Sequence, residues 1–260
     1  MLTDNVAGAA QMSILQSLPN CLCQPGPEDV DGVGNFRIEI LAPAPSSTAL
    51  ASLYFLDSHG QIPRRLFSPD YDAIKQSQID WFTRCREAEQ SLRDRGATAS
   101  RLRLSLVFQH IPLPEFRSRH LDIRGGTRGE PTEGPRKNSH FYDALVRGGI
   151  SAFGCGHDHV NDFCARLPHS TLQNGGTPAS PSPWLCYGGA SGFGGYGSFG
   201  GKRSHRRARV WQLDTGSGRL TTWKRVQYDS ERVDELALVG DGAIDTDWGE
   251  IRGNTNCILS

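Results

Sequence analysis

The sequence lacks any apolar run approaching the roughly 18 residues that a membrane-spanning helix needs. It also lacks a charge imbalance: 28 Lys and Arg stand against 28 Asp and Glu, so no long-range pull toward nucleic acid or an anionic membrane is expected. Cysteines paired at zinc-ribbon spacing are missing too. The seven cysteines are scattered, and Cys21 and Cys23 form only a C-x-C. A small disulfide scaffold is thereby excluded, and most of these cysteines read as small buried apolar side chains. The first residues, MLTDNVAGAAQMSILQ, have neither a basic n-region nor an apolar h-region, so they do not read as a signal peptide, and the compartment stays open. Residues 188–201 hold eight glycines, yet there is no G-x-x-x-x-G-K-[ST] and no G-x-G-x-x-G that opens a helix. That run reads as a flexible turn rather than a phosphate cradle.

What is present suits a globular chain. Its 260 residues are 37% hydrophobic, enough for one large core or two small ones. Residues 4–18 predict a short helix with Ile14, Leu15 and Leu18 on one face. FRIEIL (36–41) and STALASLYFLD, ending at Asp57, predict strands. A helix is expected from Tyr71, carried by Ile74, Trp81, Cys85, Ala88 and Leu92, capped by Ser77 and Asp80 and stopped at Gly96. LRLSLVF (102–108) predicts the next strand, followed by a long polar loop from Ile111 to Lys137 and a short helix from His140 to Arg147. GGISAFGCG, WLCYGG, RRARVWQLD and LTTWKRV complete the strands, the last two as a hairpin. In KRSHRRARV (202–210), alternation around Ala208 and Val210 predicts a solvated basic face. Residues 1–228 thus read as one domain of layered α/β class, with 229–260 as a weakly ordered tail.

Two motifs carry chemistry. In FGCGHDHVNDF (153–163), His157 and His159 are separated by one residue, so on an extended segment both imidazoles share a face about 6.7 Å apart along the chain. They can converge on one metal, or take one each of two metals. Gly156 is expected to let the backbone bend there, and Asp158, Asn161 and Asp162 to fix the imidazole tautomers. Taken alone, the motif fits equally well a polar turn whose histidines bond to backbone. In LSLVFQHIPLPEF (104–116), His110 ends an apolar strand and is followed by Pro112 and Pro114, which keep the exit extended. Ligands of open α/β sheets gather where strands end, and both motifs stand at strand ends.

With FQHIPLPEF, FGCGHDHVNDF and LCYGGASGFGGYGSFGGKRSHRRARVWQLD in this order, the chain resembles the calcineurin-like metallophosphoesterases. The likeness is to the purple-acid-phosphatase-like branch of fungi and plants. SLPNCLCQPGPEDVDGVGNFRIEI and LYFLDSHG…YDAIKQSQIDWF share it, so it covers roughly residues 10–226. The resemblance implies a β-sandwich flanked by helices, layered α-β-β-α. It also implies a site of two divalent or trivalent ions (Fe, Zn or Mn) acting on a phosphate-ester substrate. His110 and His157 match ligands of one metal, and His159 matches a ligand of the other.

Beside that pattern, three motifs are absent: D-x-H, G-D-x-x-D and G-N-H-D/E, which in the family precede the matched segment. No Asn-His dipeptide occurs in the sequence. Asp57-Ser58-His59 and GDGAID (240–245) echo two of them in the wrong order, so neither His59 nor Asp241 is expected to ligate. The expectation is therefore the C-terminal part of such a domain, its N-terminal half missing, holding at most one ion. The alternatives are an inactive remnant serving as a binding module, and a mononuclear site made by the same three histidines. His120, His140, His169 and His205 read as ordinary surface residues.

Overall fold

The computed structural model describes residues 5–43, 49–63, 70–94, 104–168, 182–240 and 256–259. Helix α1 (Asn5–Gln16) precedes strands β1 (Phe36–Leu41) and β2 (Ala49–Phe55). A short ribbon of β3 (Gln61–Ile62) and β4 (Asp70–Tyr71) leads to α2 (Gln76–Asp94) and β5 (Leu104–Phe108). A 3-10 turn (Pro114–Arg117), β6 (Asp122–Arg124) and α3 (Phe141–Arg147) follow, then β7 (Ala152–Cys155), β8 (Cys164–Arg166) and β9 (Trp184–Tyr187). A second ribbon, β10 (Ser198–Phe199) with β11 (Lys202–Arg203), leads into β12 (Arg207–Asp214), β13 (Leu220–Val226), β14 (Val233–Val239) and β15 (Asn256–Leu259).

These strands build a mixed seven-stranded sheet in the order β1-β2-β5-β7-β9-β8-β6, and a four-stranded antiparallel sheet in the order β14-β13-β12-β15. Alternation along each central strand explains the layering. Tyr54, Val107, Phe153 and Leu185 face one way, into a core with Phe82 of α2 and Phe141 and Leu145 of α3. Their neighbours Leu53, Leu106, Ala152 and Trp184 face the other way, onto Trp211, Leu213 and Leu220 of the second sheet. The result is helix, sheet, sheet. The fourth layer of the expected α-β-β-α order is not supplied by α2 or α3, because both pack in the same core.

Several expectations change with the tertiary neighbours. Helix α1 forms, but Ile14, Leu15 and Leu18 stay exposed. At the start of α2, Gln78 rather than Ser77 reaches back to the Lys75 amide at 2.8 Å, while Ser77 bonds to Asp31. Gly96 lies outside the described residues, as do most of the 168–183 loop, His169 and Asp241. Within the expected tail, Val233–Val239 forms an edge strand on β13, held there by burial of Leu238 in the inter-sheet core. Two cysteines read as free are joined: Cys164 and Cys186 are directly opposed on β8 and β9 and form a buried disulfide. Sequence spacing does not show that antiparallel pairing brings them together. No helix among the described residues is long and apolar enough to cross a membrane.

Candidate metal site

Strands β2, β5, β7 and β9 run parallel and are adjacent, so their carboxyl ends share one edge of the sheet. Asp57, His110, His157 and Gly188 follow those four ends in turn. The exits are stitched together: the Gly156 amide donates to the His110 carbonyl at 3.0 Å, and the Ile111 amide donates to Ser58 Oγ at 3.0 Å. In this way the apolar strands fix where the two histidine motifs meet.

His110 and His157 are brought together. Nε2 of His110 faces Nδ1 of His157 at 3.4 Å, and the rings meet edge to face. His157 itself adopts a left-handed backbone (φ 73°), so the strained residue at this bend is the histidine rather than Gly156. Such a conformation costs about 1–3 kcal/mol and clusters at functional sites. The other face of His157 meets the Tyr71 ring edge-on at 4.6 Å. Burial, followed by the nearby His110 and His159, pushes the pKa of His157 down to about 4. Burial and His159 also lower that of His110. His110 and His157 are therefore neutral at pH 7, the form in which an imidazole ligates a metal.

His159 is within electrostatic reach of both but is held by a different element. Its ring stacks on Tyr196 at 4.2 Å and its Nδ1 lies 2.9 Å from the Tyr196 carbonyl. Among the described residues, no group of three or more histidine, cysteine or carboxylate side chains stands in an arrangement able to hold a metal ion. What the pair offers a cation is its two facing nitrogens, 3.4 Å apart. Nε2 of His157 is buried and has no hydrogen-bond partner. A buried imidazole nitrogen left without a partner is costly unless something occupies its lone pair or takes its proton.

The acidic and amide residues of the motif do something other than fix tautomers. Asp158 accepts from the Tyr187 hydroxyl at 2.5 Å and from the Glu133 amide at 3.1 Å. Burial pushes its pKa up to about 6. Asn161 Oδ1 accepts from the amides of Gly129 and Glu130. Asp162 accepts from the Thr127 amide at 2.8 Å and pairs with Lys224 at 2.8 Å and Arg207 at 2.7 Å. The segment from Ile111 to Lys137 is thus tied down by the histidine turn, not left as a free insertion. Arg207 and Arg209 correct a further expectation, because both are buried rather than on a solvated face (6% and 5% exposed). Asp162 and the carbonyls of Tyr187 and Asp162 satisfy them between the sheets.

His59 stands apart from the pair's partners. Its Nε2 lies 2.8 Å from Gln78 Oε1, beside a polar cavity of about 590 Å³ lined by Asp31, Asp57 and Asp72. His120, His140 and His205 are exposed, as expected. Tyr196 and Glu130 were invisible as site residues. The sole sequence signal is an aromatic residue interrupting a glycine run.

The chain is 34% identical over 230 residues to "Probable inactive purple acid phosphatase 29" of Arabidopsis thaliana, covering 83% of this chain and 54% of that protein. It is 33% identical over 249 residues to "Probable inactive purple acid phosphatase 14" of the same plant, covering 88% and 58%. It is also 31% identical over 244 residues to "Phosphatase DCR2" of Saccharomyces cerevisiae, covering 89% and 39%. This similarity over most of the chain supports a place in the purple-acid-phosphatase-like branch of the metallophosphoesterases. No family model matches the chain. The chain spans about half the length of the curated relatives it matches. Phosphatase chemistry is the background of these relatives, and a purple-acid-phosphatase-like family implies divalent or trivalent metals.

Proposed function

We propose that this chain carries the histidine part of a metal-dependent phosphate-ester hydrolase site, with His110, His157 and His159 as metal ligands. The observation that carries this reading is the His110–His157 pair. It stands 3.4 Å apart at the ends of adjacent parallel strands, with one buried ring nitrogen unpartnered. Three imidazoles supply ligands for one ion of zinc, iron or manganese. They bring no negative charge to offset two cations held about 3.5–4 Å apart.

In a complete binuclear site the ions, when bound, lower the pKa of a water from about 15.7 toward about 7 and hold the phosphate oxygens. The carboxylate and Asn-His motifs that such a site needs are not in this sequence. The chain by itself is then an incomplete catalytic domain and does not turn over a phosphate ester. The match covers 54% and 39% of two relatives, which leaves room in those proteins for further ligands outside the matched segment.

A second reading is supported by the hold of Tyr196 on His159 and by the word "inactive" in the names of two relatives. In it, the chain is a non-catalytic binding module, or a mononuclear metal site, that keeps the shape of the half-site. Metal stoichiometry together with turnover of an aryl phosphate separates these readings. One weakly held ion without turnover fits the first, one tightly held ion a mononuclear site and no ion a binding module; robust turnover that disappears in His110→Ala would show a complete site and overturn all three.

A further inference from the structure

We infer that Tyr196 is a positioning residue for His159, and that the glycine-rich segment from Gly188 to Gly201 exists to deliver it. The inference rests on His159 being a metal ligand. The Tyr196 carbonyl oxygen can only accept, so the His159 Nδ1 that lies 2.9 Å from it carries the proton. Nε2 of the neutral ring is then the nitrogen without a proton, the one able to ligate. A ligating histidine commonly donates its other N–H to a carbonyl or carboxylate, which fixes both tautomer and ring orientation. Here the same residue also holds the ring by stacking, with the planes 13° apart.

The carbonyl is itself anchored. The Tyr196 hydroxyl donates to the Glu130 carboxylate at 2.9 Å and accepts from the His159 backbone amide at 3.2 Å. Glu130 is fixed in turn by accepting from the Val160 amide at 2.7 Å. Arg206 donates to the Gly195 carbonyl at 2.8 Å. A Cβ added at Gly192, Gly194, Gly200 or Gly201 would meet no heavy atom within 4 Å. At Gly195 the opposite holds. A Cβ there would fall 2.1 Å from Cε1 of His159, so only glycine lets the backbone pass against the ring. Gly195 serves this close approach to one imidazole, next to the anchored Tyr196.

The test reads tautomer and affinity separately. In the full chain at pH 8, nitrogen and carbon NMR shifts of His159 should report the Nδ1–H form. Tyr196→Ala, which removes the stack and the Glu130 anchor, and Gly195→Ala, which displaces the ring, should shift it toward the other tautomer. Both should weaken zinc binding, measured calorimetrically with zinc alone, by about 10- to 100-fold. Tyr196→Phe keeps the stacked ring but loses the Glu130 anchor, and should weaken zinc binding by less than Tyr196→Ala. That variant keeps the comparison readable should either alanine substitution disturb folding. An Nε2–H tautomer in the parent chain, or zinc affinity unmoved by Tyr196→Ala and Gly195→Ala, would overturn the inference. A parent chain that holds the tautomer yet takes up no zinc would overturn the metal reading alone.

Discussion

His110 Nε2 and His157 Nδ1 face each other at 3.4 Å across the ends of two neighbouring parallel strands, 47 residues apart in sequence. The proposed metal site turns on that meeting. His157→Ala removes both the facing nitrogen and the orphaned Nε2, and should abolish zinc uptake. His59→Ala should leave uptake unchanged, since His59 is engaged with Gln78. Equilibrium dialysis with zinc on both variants checks this pair of outcomes.

Asp162 ties three parts of the molecule together: the Thr127 amide, Arg207 on β12 and Lys224 on β13. Removing one member of a buried ion network leaves the others uncompensated, at a cost of about 3–5 kcal/mol. Asp162→Ala should lower stability to chemical denaturation by that order. The pH dependence has a definite sign. Burial pushes this carboxyl up, but Lys224, the Thr127 amide and Arg207 outweigh it, and the folded pKa lies below the ordinary 3.8. The stability Asp162 contributes is therefore present above about pH 4 and lost as pH falls through the lower folded value. Denaturation curves between pH 5 and 2.5 should be steeper for the parent than for Asp162→Asn.

Asn161 was expected to act on the imidazoles and instead accepts two backbone amides of the preceding loop. Asn161→Ala buries those donors without partners, at about 1–3 kcal/mol each. Thermal unfolding should register the loss, while zinc affinity should fall far less than in Tyr196→Ala. Equal loss of zinc affinity in the two variants would contradict this division of roles.

Cys164 and Cys186 close 22 residues within the main sheet. Cross-linking a loop of that length contributes about 3 kcal/mol in the chain-entropy picture. Peptide mapping without reductant should recover the linked pair, and reductant should lower the melting temperature of the parent but not of the Cys164→Ala, Cys186→Ala double variant.

The contrast between these residues shows what local sequence carries. LSLVF and SAFGC are read as strands because alternation and apolar character are local, and His110 and His157 are placed correctly because they follow directly. The inward turn of Arg207 and Arg209 was not readable, since it depends on Asp162 and on carbonyls from other strands. The disulfide depends on strand pairing across 22 residues, and the Glu130–Tyr196–His159 chain on three segments with no shared spacing. Ile14, Leu15 and Leu18 show the converse: a local pattern formed its helix, but those side chains remain exposed.

The most direct test of a three-histidine half-site is the number of zinc ions bound per chain, read by native mass spectrometry of the metal-loaded 260-residue protein. One weakly held ion, absent from His157→Ala, is the result expected. Two tightly held ions, or none at all, would contradict the account.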